Sequence, residues 1–121
     1  MLHCGVDLVE IGRIRPLIQK ERFLNRVYGA EELAELRAHG MRAESAAGGF
    51  AAKEAFLKVV ERGIGAVPLC EIQILHRESG APYYRLSGKA ARLARGMELS
   101  LSITHTDTQA AAFAVAQEEK R

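Results

Sequence analysis

Apolar and polar residues alternate from Leu2 to Val9, which predicts a strand with Leu2, Cys4, Val6 and Leu8 on one side. His3, Gly5, Asp7 and Val9 take the other side, so Asp7 is a lone acid on the second face of a mostly apolar strand. Residues 10–28 have helical spacing that Pro16 interrupts, by opening a helix or by kinking one. A short helix from Ala30 to His39 follows, with Glu31 and Glu32 in its first turn, where the helix dipole favours acids. The longest helix runs from about Arg42 to Arg62. Within it Ala52, Ala55, Phe56, Val59 and Val60 form one apolar stripe, and the pair Gly48-Gly49 marks close approach of a neighbour. Gly63-Ile64-Gly65 is its expected stop.

The second half alternates. Leu69 to His76, the turn Ser79-Gly80 and Tyr83 to Leu86 read as a hairpin. Ser87 is placed to cap a short helix from Gly88 to Arg95, which Gly96 closes. Leu99, Leu101 and Ile103 alternate with Ser100, Ser102 and Thr104, and His105 ends that strand on the apolar parity. Thr106-Asp107-Thr108 is a turn, Gln109 to Ala116 an alanine-rich partner strand, and residues 117–121 a charged tail. Strands and helices together give an α+β domain, one unit of 121 residues without repeat or boundary.

Composition narrows the functional classes. Hydrophobic residues make up 48% and charged residues 26%, an ordinary globular balance. No apolar run reaches the roughly 20 residues of a membrane span, and no signal peptide is evident, so a cytoplasmic location is expected. Two cysteines and four histidines show no zinc spacing. Net charge is only +2, yet Arg13, Arg15, Lys20, Arg22 and Arg26 crowd one stretch against a single acid, Glu21. Two readings stand there: a solvated basic face, or a docking surface for an acidic macromolecule. A nucleic-acid surface fits poorly, since aromatics are 6%, tryptophan is absent and no stacking platform interleaves with the arginines.

The candidate chemistry centres on Phe50–Lys58. Glu54 and Lys58 are four residues apart on the helix face opposite the apolar stripe. The plain reading is a solvated ion pair of about 0.3–0.5 kcal/mol. Phe50 and Leu57 flank the pair, however, and Asp7 supplies a second isolated carboxylate. Two carboxylates beside a lysine are what a divalent metal and a phosphate need. For Asp7 the alternative is a helix cap, for Gly63 a plain helix stop rather than a phosphate-binding turn, and for His105 a satisfied core position.

Four stretches in chain order resemble a known family: Gly5-Val6-Asp7-Leu8-Val9-Glu10-Ile11-Gly12-Arg13-Ile14, Phe50 to Lys58, Leu86-Ser87-Gly88-Lys89-Ala90, and Ser102-Ile103-Thr104-His105-Thr106. Together they are similar to the holo-[acyl-carrier-protein] synthases, the small 4′-phosphopantetheinyl transferases, over Gly5 to Val115. The resemblance implies that family's fold, a small antiparallel sheet packed on one long helix and shorter helices. It implies transfer of 4′-phosphopantetheine from coenzyme A, the co-substrate, to a serine of an apo-acyl carrier protein. Adenosine 3′,5′-bisphosphate would be released, in the service of fatty acid or polyketide synthesis. It further implies Mg2+ on Asp7 and Glu54, and Lys58 against the pyrophosphate with Lys53 as a second candidate. Coenzyme A contacts would come from Lys53, Lys58, Arg62, Gly63 and His105, and His105 would share catalysis with Asp7, Glu54 and Lys58. Arg13, Arg15, Arg22 and Phe23 would dock the carrier, and a homotrimer would place active sites between subunits. A non-catalytic relative that binds coenzyme A or carrier protein is the alternative. The chain departs from the family pattern at Gly49, where many relatives carry arginine, at Glu61-Arg62-Gly63 and at Ala81. Arg62 is expected to restore the charge missing at Gly49.

Overall fold

The computed structural model describes residues 1–119; Lys120 and Arg121, the end of the expected tail, lie outside the described residues. Strand β1 (Leu2–Glu10) leads into helices α1 (Ile11–Leu17), α2 (Glu21–Val27) and α3 (Ala30–Ala38), then the long α4 (Ala43–Val59). A single 3-10 turn at Leu69–Glu71 precedes β2 (Ile72–His76) and β3 (Pro82–Leu86), followed by α5 (Gly88–Leu93), β4 (Met97–His105) and β5 (Gln109–Glu118). Pro16 falls in the last turn of α1, where it shortens the helix instead of opening one.

The strands form two antiparallel sheets. One is three-stranded in the order β1-β5-β4 and the other is the β2-β3 hairpin. β5 is central, with Asp7 opposite Ala112 on one side and Ile103 opposite Ala112 on the other. Helix α4 crosses this sheet through an interface of small side chains. Ala110, Ala112, Ala114 and Ala116 of β5 and Ala46, Ala47, Ala51, Ala52 and Ala55 of α4 are all buried. Alanine facing alanine lets the backbones approach closely. At Gly5 a Cβ would strike the Ala55 carbonyl oxygen and the Lys58 Cβ. At Gly48 it would meet Ile103 Cγ2 at 2.9 Å. Both glycines are contact points, as the Gly48-Gly49 pair suggests.

Twelve of the seventeen residues of α4 are buried, so it is a central helix and not one with a single apolar stripe. It also stops earlier than expected. Glu61 takes φ +56°, its amide bonds the Lys58 carbonyl, and the Arg62 amide bonds the Leu57 carbonyl. That is a left-handed cap made by glutamate, two residues before Gly63. β1 carries the other reversal. Its apolar set Leu2, Val6 and Leu8 faces outward, while the mixed set Gly5, Asp7 and Val9 faces α4. Phe113 stands beside Val6 on the same open face.

Candidate active site

The close contact at Gly5 sets the site. It brings β1 against the C-terminal half of α4, so Asp7, Glu54 and Lys58 meet at the edge of that interface. Lys58 donates from Nζ to the Val6 carbonyl oxygen at 2.7 Å and to Asp7 Oδ1 at 3.3 Å. Its ammonium is half exposed, whereas the Asp7 side chain is largely covered. The Glu54 carboxyl is held above the ordinary carboxylate range. Partial burial is the largest cause, followed by the negative charge of the nearby Asp7. Lys58 and Arg13 oppose that shift, which also places Arg13 of α1 within electrostatic reach of the pair. Asp7 and Glu54 are thus two carboxylates near enough to act on each other, with Lys58 beside Asp7.

A divalent cation fits this donor set. Both protein donors are carboxylate oxygens, and among the described residues no group of three or more His, Cys, Asp or Glu side chains could enclose a metal. The remaining ligands would be water and substrate oxygens. Magnesium favours that arrangement.

His105 lies elsewhere. It bonds through Nδ1 to the Thr106 carbonyl oxygen and lines a cavity of about 200 Å³ with Tyr28, Glu35, Ser45, Gly48, Gly49 and His76. None of Asp7, Glu54 or Lys58 lines it. Gly48 and Glu54 are six positions apart on α4, about 9 Å along the axis. Within one chain the structure assembles Asp7, Glu54, Lys58 and Arg13, and leaves His105 at a second place.

Lys53 does not belong to the site face. It is 0% exposed. Its ammonium donates to Glu32 Oε1 at 2.7 Å, to the Leu69 carbonyl oxygen at 3.1 Å and to the Ile72 carbonyl oxygen, and it lies 5.3 Å from the Tyr28 ring centre. All three donors are used inside the protein, so Lys53 has none for coenzyme A. The expectation for Lys53 is therefore corrected. Arg62 and Gly63 sit in the exposed turn beyond α4. Gly49 to Val59 alone spans about 15 Å of helix, so Arg62 cannot stand in for a side chain at Gly49 of the same chain.

Arg13, Arg15 and Arg22 are exposed on α1 and α2. Phe23 is half-buried: its ring stacks on Phe50 at 6.4 Å and meets Tyr28 edge-on at 6.1 Å. It supports the basic surface from beneath.

Glu32 escaped sequence reasoning. It reads as an ordinary first-turn acid, yet it is 2% exposed and accepts from the Gly29 and Ile74 amides as well as from Lys53. Burial is the leading influence on both partners, raising Glu32 and lowering Lys53, and each charge offsets part of that shift for the other. Neither the spacing nor the charge pattern marks the pair, because its members are 21 residues apart and belong to different helices.

The fold and these residues define a class. Residues 3–116 match the model of the 4′-phosphopantetheinyl transferase superfamily, and the chain belongs to that family. Within it, the chain is similar to the holo-[acyl-carrier-protein] synthases. It is 40% identical to that of Halothermothrix orenii over 119 residues, covering 94% of this chain and 95% of the relative. The "Chronobacterium ammoniagenes ACPS-CoA complex" superposes with a TM-score of 0.85 at 26% identity, covering 99% of each chain. The Helicobacter pylori holo-[acyl-carrier-protein] synthase, solved in complex with coenzyme A, gives 0.81 at 31% identity, covering 94% of this chain and 99% of that one.

Proposed function

We propose that this chain is a holo-[acyl-carrier-protein] synthase that moves 4′-phosphopantetheine from coenzyme A to a serine of apo-acyl carrier protein. The observation that carries the reading is the juxtaposition of Asp7, Glu54 and Lys58 at the contact of β1 and α4, in a chain matched to the transferase family over nearly its whole length. The serine oxygen attacks the β-phosphorus and loses its proton to water, while the bond from that phosphorus to the 5′-phosphate oxygen of the departing adenosine 3′,5′-bisphosphate breaks. Such a reaction asks for positioning and charge stabilisation more than for covalent work by the protein.

Each residue then has a task. Asp7 and Glu54 would hold Mg2+, whose chemistry there would be charge stabilisation on the pyrophosphate and acidification of a water. Lys58, which donates to Asp7 Oδ1 at 3.3 Å, is the cation that would meet the pyrophosphate oxygens and neutralise charge on the departing group. Arg13, Arg15 and Arg22 present positive charge to the acidic carrier and speed encounter. His105 and its cavity receive the nucleotide half of coenzyme A, while Arg62 and Gly63 border the turn beyond Lys58.

That division implies an assembly. The exposed apolar residues Leu2, Val6, Leu8 and Phe113 form a patch on the outer face of the sheet, the kind of surface that marks an interface. A homotrimer closed through this face would set the carboxylate pair of one subunit beside the His105 cavity of another. No helix among the described residues is long and apolar enough to cross a membrane, and we place the enzyme in the cytoplasm.

Product analysis tests the reading. Adenosine 3′,5′-bisphosphate should appear only when protein, coenzyme A, apo-carrier and magnesium are all present. Binding of coenzyme A without release of the bisphosphate, across several carriers, would favour a non-catalytic binder.

A further inference from the structure

Against β5, α4 packs alanine on alanine, and its rotation is set by larger and polar contacts: the buried Phe56, Leu57 and Val59, the Tyr28 and Tyr84 hydroxyls that donate to the Ala46 and Ala52 carbonyl oxygens, and the Lys53 ammonium. Lys53 precedes Glu54, and consecutive residues of a helix leave the axis about 100° apart. Anchoring one therefore aims the other.

We propose that Glu32 is a positioning residue for the transfer reaction: through its ion pair with Lys53 it fixes the rotation of α4 that presents Glu54 to Asp7. The pair is built for this. Lys53 spends its three donors on α3, on the 3-10 turn and on β2, through Glu32, Leu69 and Ile72. Glu32 is fixed in turn by the Gly29 amide at 3.1 Å and the Ile74 amide at 3.1 Å. Its own amide donates to Gln73 Oε1 at 2.9 Å. Among the described residues no buried side-chain polar atom lacks a partner. A fully satisfied buried network rigidifies, although a buried ion pair is a poor source of stability compared with apolar residues of the same volume.

This inference rests on the reading that Asp7 and Glu54 hold a divalent cation, and its test separates the two. Mn2+ binding to the assembled protein is measured by electron paramagnetic resonance, with kcat and KM alongside. Wild type should bind Mn2+ and Glu54→Gln should not; failure of wild type to bind would overturn the metal reading and this one with it. The double variant Glu32→Leu/Lys53→Met replaces the pair with apolar residues of similar size. It leaves the Gly29 and Ile74 amides without their carboxylate acceptor, so it should melt below wild type; in the folded protein it should bind Mn2+ about 10–100-fold more weakly and lose kcat by a similar factor, at unchanged KM for the carrier. Glu32→Asp, which keeps the charge and shortens its reach by one methylene, should show the same loss and carries the test if the double variant fails to fold. Folded variants with Mn2+ affinity and kcat within two-fold of wild type would overturn the proposal.

Discussion

Glu54 carries a cost to the fold at neutral pH. Its carboxyl is raised above the ordinary range by burial and by Asp7, so the folded protein binds its proton more tightly than the unfolded chain does. Stability from this group is fully present below the ordinary carboxylate pKa and is lost as pH rises through the raised value. Glu54→Gln should therefore raise the melting temperature of the metal-free protein at pH 7 to 8 and leave it nearly unchanged near pH 4. A lower melting temperature at neutral pH would show that ionised Glu54 is structurally required. Helical spacing put Glu54 and Lys58 on one face and strand parity isolated Asp7, but it took the family resemblance to put Asp7 with them, since neither period says which strand meets α4. Lys53 was not legible. Helical spacing locates it beside Glu54 but does not say that α3 and β2 cover that side, and its partner looks like any acid in a first turn.

At the scale of elements, the chemistry depends on where β1 and α4 stop and touch. The strands, their parity and the order of helices could be read from periodicity, and Gly48-Gly49 announced a close neighbour. The outward turn of Leu2, Val6 and Leu8 could not be read, since alternation defines two faces without saying which is covered. The end of α4 was also misjudged, because glycine is the usual left-handed cap and Gly63 was available. Glu61 takes that role at φ +56°, a conformation that costs a side-chain-bearing residue about 1 kcal/mol. Glu61→Gly should stabilise the fold by roughly 1 kcal/mol in urea titration. A loss of stability would mean that the glutamate makes a compensating contact.

For the molecule as a whole, one chain holds the carboxylate pair and the His105 cavity at different places on α4, and its apolar sheet face is open. The proposed association through that face would account for both facts. Phe113, 46% exposed and opposite Val6, lies on it. Phe113→Glu should dissociate the assembly in sedimentation velocity and abolish transfer, since a charge in an apolar interface is expensive to desolvate. A fully active monomer would place the complete site within one chain.

The most direct measurement is the intact mass of a carrier protein incubated with coenzyme A, magnesium and either wild type or Glu54→Gln. Wild type should add the mass of one phosphopantetheine group, and the variant, still assembled, should add none. An unmodified carrier with wild type, or full modification by Glu54→Gln, would contradict a transferase built on Asp7, Glu54 and Lys58.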